Sequence, residues 1–330
     1  MHIYRWDLDK TYLKTQFDTL GEIVRTALEA PAEKANIPGT AALMRCLRYG
    51  IDGTENRVYV VSGSPREMRR VLTEKLRLDG VSIDGLELKP NLSNLLRGRF
   101  RAIRDQLGYK LPILLESRAG MDRATTALET CFGDDAEMDA IIYRLYGDIA
   151  DGSITPARVE ALLTEARLYP DQIARIRAAA EKLPIRPVVE RVFIHLETGS
   201  PTGRFEPLGP RVAPTFNAFQ SAMVLHGDGR LSRDSVMVVV EEMVDRYGYT
   251  TERLSASIQD ALRRDLVSRE LATPIGEALR LNLGPEWPVR ARSEAPVDYP
   301  ALLADVEVWH KERKARRRPS GGLSALFGKG

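Results

Sequence analysis

Short apolar runs that break abruptly into polar loops are the feature that most constrains this chain. Residues 2–6 run into Asp7-Leu8-Asp9-Lys10-Thr11, residues 57–61 into Ser62-Gly63-Ser64-Pro65, and residues 130–132 into Gly133-Asp134-Asp135-Ala136-Glu137-Met138-Asp139. The second run is continuously apolar and β-branched rather than alternating, as expected of a parallel strand buried on both faces. Between the runs lie segments of helical periodicity. Residues 18–29 are closed by Pro31, residues 40–49 are stopped by Gly50, and Pro65 opens a further helix, since proline fits a first helical turn. Residues 81–88 read as a strand or loop and 91–106 as a helix. Lys110-Leu111-Pro112 is expected to start a helix that runs to about Arg118. Helices over 156–168 and 170–183 follow, and residues 192–196 form the last clear strand. Strands alternating with helices indicate an α/β fold, a doubly wound parallel sheet with helices on both faces. Such sheets bind ligands beyond the carboxyl ends of their strands, so the three polar loops are expected to form one site.

The loops carry oxygen-rich chemistry. Asp7 and Asp9 are two residues apart at a strand end, where extended backbone points i and i+2 the same way, so both carboxylates are expected to face one ligand. Carboxylate oxygens suit a hard cation such as Mg²⁺. The only cysteines, Cys46 and Cys131, have neither the spacing nor the paired histidines of a thiolate metal site and suggest a reducing compartment. His226-Gly227-Asp228-Gly229-Arg230 lacks the further ligands of a calcium loop and reads as a turn. Glu116-Ser117-Arg118 is expected to be a solvated helix end. Residues 211–220 mix aromatic and polar side chains and are read either as the lining of a substrate groove or as packing.

Composition is that of an ordinary soluble protein, 43% hydrophobic and 28% charged. No stretch approaches the ~20 apolar residues of a membrane span, and the first residues contain no signal-peptide core. A cytoplasmic location is expected. The net charge of +2 hides an asymmetry: residues 311–330 hold seven basic side chains and one acid, Glu312, which is +6 and leaves −4 for the remainder. This tail is expected to be a disordered, solvated end whose charge suits peripheral contact with an anionic membrane; nucleic acid is not an expected partner. The organisation expected is a core over 1–200, a mainly helical region over 201–310 that could wall the site, and the basic tail over 311–330.

The ordered set Asp7-Leu8-Asp9-Lys10-Thr11, Ser62 after an apolar strand, Lys110, and Gly133-Asp134-Asp135 with Asp139 resembles the four motifs of the haloacid dehalogenase superfamily, over roughly residues 1–146. Asp-Leu-Asp-Lys-Thr-Tyr-Leu, Val-Ser-Gly-Ser-Pro and Phe-Gly-Asp-Asp-Ala-Glu-Met-Asp-Ala-Ile-Ile-Tyr further resemble the catalytic domain of actin-patch-associated phosphatidate phosphatases and their bacterial relatives. Lys10 departs from that pattern, which usually has an acidic residue there. The resemblance implies a sheet of that family's kind with a small or absent cap. It also implies a Mg²⁺-dependent phosphohydrolase working through an aspartyl-phosphate, possible substrates being a lipid or another bulky phosphate. Asp7 is then the nucleophile, Asp9 the general acid and base, and Lys110 the phosphoryl-binding cation, with Arg99, Arg101 and Lys89 as alternatives to it. Ser62, Thr11 and Gly63 contact the phosphoryl group, while Asp7, Asp9 (by its backbone carbonyl) and Asp134 hold the metal, supported by Asp135 and Asp139. The alternative is a phospho-ligand binder or scaffold that keeps the fold without catalysis.

Overall fold

The computed structural model describes residues 1–14, 30–89, 102–122, 125–288 and 295–316. Its centre is one sheet of six strands: β1 (Ile3–Trp6), β2 (Arg57–Pro65), β3 (Gly85–Lys89), β4 (Glu129–Asp134), β5 (Val189–His195) and β6 (Val212–Thr215). All neighbours are parallel, in the order β3-β2-β1-β4-β5-β6. Every residue of β1 and β4 is buried, the signature of central parallel strands. The order reverses between β1 and β4, so the chain leaves those two strands in opposite lateral directions. In sheets of this kind such a topological switch point is where ligands bind, beyond the carboxyl ends of the strands.

Helices cover both faces. On one, α1 (Thr40–Arg48) and α2 (Arg69–Leu78) pack with Tyr4, Trp6, Val58, Val60, Phe132 and Phe193. On the other, α3 (Ala102–Ala119), α4 (Asp139–Asp151), α5 (Pro156–Glu165) and α6 (Pro170–Ala180) pack with Cys131, Val192 and Ile194. The first face is shared by α7 (Ala218–Gly227), α8 (Arg233–Tyr247), α9 (Thr251–Arg263) and α10 (Arg269–Leu279); the second also receives α11 (Tyr299–Arg316). Side chains from residues 213–275 thus share a core with those of β1 and β2. The strands pair Trp6 with Phe132 and Phe132 with Phe193. Their rings stack, Trp6 on Phe132 at 3.8 Å between centroids and Phe132 on Phe193 at 5.1 Å. This ladder lies one residue before Asp7 and Gly133 and fixes the strand ends that carry the polar loops.

Three sequence expectations change. β6 extends the sheet beyond residues 192–196, expected to be its last clear strand, into the region over 201–310 expected to be mainly helical. It is an edge strand, where Pro214 loses no ladder bond to a further neighbour, and the sheet still gains the bonds from Val192 N–H to Arg211 O and Leu196 N–H to Thr215 O. Residues 212–215 are buried in that strand, Thr215 also lines a small cavity with Thr11, Gly133 and His195, and Asn217 caps α7 by accepting the Gln220 N–H. Second, β2 continues through Ser62 to Pro65 with a register shift at that end, instead of stopping at Val61. Third, α3 does not start at Lys110. It runs from Ala102, with Pro112 inside it, because Leu107, Leu111, Leu114 and Leu115 form one buried stripe on both sides of the proline. The expected helix over 18–29 and most of that over 91–106 lie outside the described residues. So do residues 317–330 of the basic tail; residues 311–316, by contrast, belong to α11. No helix among the described residues is long and apolar enough to cross a membrane.

Glu116-Ser117-Arg118 is not a solvated end. Beneath the switch point, Arg5 of β1 makes a two-pronged ion pair with Glu129 of β4, and Arg118 and Tyr146 converge on the same carboxylate at 3.2 and 2.9 Å. Ser117 accepts from Arg5 at 3.0 Å. A buried carboxylate is stable only when its oxygens are satisfied this fully. Only Glu116 faces outward, on the exposed Arg175. Glu129→Ala leaves two guanidinium groups near an empty site and is expected to cost about 3–5 kcal/mol in urea unfolding. Glu116→Ala, at an exposed pair, is expected to cost under about 1 kcal/mol; equal losses would contradict the difference drawn between the two pairs.

Candidate functional site

The backbone leaving β1 is fixed first. Asp7 N–H donates to Phe132 O at 2.9 Å, and Leu8 O then accepts from both Tyr12 and Leu13, at 2.9 and 2.8 Å. The loop folds back so tightly that Lys10 takes φ 60°, a left-handed conformation uncommon outside glycine. That turn parts the two aspartates. Asp7 is buried and faces α3 and α4, whereas half-buried Asp9 accepts Ser62 Oγ at 3.1 Å and Ser64 Oγ at 2.7 Å at the end of β2. The two carboxylates, expected from their i, i+2 spacing to face one ligand, thus have different partners here. Ser62 Oγ also accepts the Ser64 N–H at 3.0 Å, and Tyr109 OH of α3 donates to Ser62 O at 2.9 Å.

Lys110 stands mid-helix on α3, with its ammonium buried at the switch point. It donates to Asp7 Oδ1 at 2.9 Å, to Asp139 Oδ1 at 2.5 Å and to Glu137 Oε2 at 3.0 Å. Of the other cations considered from sequence, Lys89 lies at the end of β3, 5.9 Å over the Tyr109 ring; Arg99 and Arg101 lie outside the described residues. Thr11 Oγ1 leans on the other oxygen of Asp7 at 3.4 Å.

The loop after β4 supplies the rest. Asp134 Oδ1 accepts the N–H groups of Ala136 and Glu137, while its Oδ2 is buried with no hydrogen-bond partner among the described residues. Asp139, at the start of α4, reaches back under Gly133, where a Cβ would lie 2.4 Å from that of Asp139. Only glycine allows this approach. Asp7, Asp134 and Asp139, all buried, offer ligand oxygens within 4.8 Å of one another. Asp135 points elsewhere. Its two oxygens accept the N–H groups of Thr198 and Ser200, both at 2.8 Å, so it ties down the loop after β5. Neighbours in sequence, Asp134 and Asp135 diverge because the chain is leaving a strand. Sequence reading gave no role to Glu137, Ser64 or Tyr109. Glu137 was visible only as one more acid in an acidic run, and Tyr109 only as the neighbour of Lys110.

Four carboxylates meet one lysine. Burial pushes the Asp7 and Asp134 carboxyls well above their usual range; Lys110 pulls both back, and the neighbouring acids raise them further. Asp139 is raised to about 6 by burial, against the pull of Lys110. Burial also works to raise Glu137, but Lys110, with Lys10 and Lys89, brings it below the ordinary value. The donors fit a hard divalent cation: all are oxygens, their charge exceeds what Lys110 neutralises, and Asp134 keeps one oxygen unused. No protein-family model, curated protein or solved structure matches the chain.

The carboxyls give a pH dependence of defined sign. A carboxyl whose pKa is higher in the folded chain than in the unfolded one stabilises the fold when protonated, and that contribution is lost as pH rises through the folded value. In chelator the melting temperature is therefore expected to fall from about pH 4.5 to about pH 7.5, with Asp139→Asn flattening the fall. Mg²⁺ is expected to restore stability at the upper end, replacing the protons the cluster has lost. A metal-free melting temperature that rises across this interval, or one Mg²⁺ does not change, would contradict the assignment.

Proposed function

We propose that this chain is a Mg²⁺-dependent phosphohydrolase of the haloacid dehalogenase type, with Asp7 as nucleophile. The observation that carries the reading is the meeting of Asp7, Lys110, Asp134 and Asp139 where the strand order reverses. Ligands enter sheets of this architecture at that place. The motif order along the sequence supports the same conclusion.

In this reading an Asp7 oxygen attacks phosphorus as the bond to the leaving oxygen breaks, so the phosphoryl group passes to Asp7. Asp9 gives its proton to the leaving oxygen. It then takes one from the water that attacks the aspartyl-phosphate, releasing inorganic phosphate and restoring Asp7. Ser62 and Ser64, which hold the Asp9 carboxylate in this structure, orient it for both transfers. Lys110 keeps Asp7 ionised and, as a point charge, attracts the phosphoryl oxygens. Thr11, the Ser62 hydroxyl and Gly63 line the same end of β1 and β2 and contact those oxygens. Asp7, Asp134 and the Asp9 carbonyl hold Mg²⁺, with Asp139 in support. Bound there, the cation offsets charge on the phosphoryl group and orients it for in-line attack. The intervals between residues 9 and 62 and between 62 and 110 are short for a large independent lid, which favours a bulky phosphate such as a lipid headgroup.

The test is hydrolysis of p-nitrophenyl phosphate and phosphatidate by the full chain, with and without Mg²⁺. Asp7→Asn is expected to abolish turnover, and Asp9→Asn to lower it by about 10²–10⁴-fold, with Mg²⁺ required throughout. Undiminished hydrolysis by Asp7→Asn, or Mg²⁺ binding with no turnover of any phosphate, would overturn the reading.

A further inference from the structure

An ammonium has three N–H donors, and those of Lys110 are all committed: to Asp7 at 2.9 Å, to Asp139 at 2.5 Å and to Glu137 at 3.0 Å. None is left for a phosphoryl oxygen. If Lys110 receives a phosphate, one carboxylate must let go. Asp7 and Asp139 are poorly suited to do so. Their side chains are 1% and 0% exposed, and both belong to the buried group of three carboxylates. Releasing either would leave a buried charge without its partner, which is costly.

Glu137 differs on each count. Its side chain is 28% exposed, and it stands outside the group of three carboxylates. Its second oxygen faces Gly63 of β2, lying 4.0 Å from where a Cβ would be built. The carboxylate therefore spans from Lys110 toward the Ser62–Gly63 segment, the two features to which the proposed mechanism assigns the phosphoryl oxygens. It presents two acceptor oxygens where a phosphate would present its own. Lys10 and Lys89 also act on it electrostatically, so a displaced Glu137 has cations to turn toward at the mouth.

We propose that Glu137 is a built-in competitor for the phosphoryl seat: it occupies Lys110 in the ligand-free chain and is displaced when a phosphate enters. The inference rests on the phosphoryl reading of the site and adds a selectivity to it. An incoming group must outbid a carboxylate for Lys110, which a doubly charged phosphate monoester does better than a singly charged diester. The exchange also keeps the lysine neutralised between ligands, so the buried ammonium is never left unpaired.

The experiment is binding of inorganic phosphate to the full chain saturated with Mg²⁺, by calorimetry, in wild type, Glu137→Gln, Glu137→Ala and Glu87→Gln. Glu87 is exposed on β3 and acts electrostatically on Tyr109, so its variant removes a nearby charge without touching Lys110. Both Glu137 variants are expected to bind phosphate about tenfold more tightly, equivalent to about 1.4 kcal/mol, and Glu87→Gln by less than about twofold. Damage to the site would weaken binding, so tightening is a readout that a merely structural role does not produce. Unchanged or weaker binding by the Glu137 variants, with Mg²⁺ affinity and circular dichroism as in wild type, would overturn the competitor role alone. If no form, wild type included, binds phosphate while all bind Mg²⁺, the phosphoryl reading falls and the competitor role with it.

Discussion

The burial of one ammonium among carboxylates from two separate segments organises this molecule. Lys110 reaches the carboxyl end of β1 through Asp7 and the start of α4 through Asp139, so α3 is fastened where the sheet reverses direction. Neither side of that arrangement is stable by itself: an unpaired buried ammonium or carboxylate costs several kcal/mol. Two helical turns further along α3, Arg118 makes the second attachment, through Glu129 to Arg5. Between them lie Leu111, Leu114 and Leu115 of the buried leucine stripe. The helix is thus held at two polar points with apolar packing between, and Lys110 is placed with little freedom.

The opposite face serves precision in another way. The Trp6–Phe132–Phe193 ladder aligns three adjacent strands just before the polar loops begin. Asp7 consequently leaves β1 level with Gly133, one residue before Asp134 on the neighbouring strand, and the tight turn around Leu8 sends Asp9 toward the β2 serines. The different partners of Asp7 and Asp9 are a consequence of that turn. Its geometric cost is Lys10 in the left-handed region, at the position where the resembled family usually carries an acidic residue. Such strain is typical of positions where function dictates backbone shape.

Much of this was legible in the residues. The continuous apolar run at 57–61 and the strand-end loops were enough to indicate a parallel α/β sheet, and those loops placed Asp7, Asp134 and Asp139 at one end of it. What stayed hidden depended on tertiary context. Pro214 disguised β6, because its missing N–H is harmless only at an edge that sequence does not reveal. Pro112 similarly suggested a helix start, since the leucine stripe that carries α3 through it binds residues far apart in the chain. Asp134 and Asp135 are indistinguishable as letters; the direction of the strand end decides that one joins the carboxylate group and the other holds the β5 loop. Glu137 was hidden for a related reason, because its importance comes from counting the donors of a lysine 27 residues away.

The central claim is that Asp7 takes up a phosphoryl group covalently. It is tested most directly by quenching the Mg²⁺-loaded protein during incubation with p-nitrophenyl phosphate, reducing with borohydride and sequencing the peptides by mass spectrometry. Borohydride converts an acyl phosphate to the alcohol, so the account predicts homoserine at position 7, dependent on substrate. Turnover that leaves Asp7 unmodified, or homoserine at another aspartate instead, would contradict it.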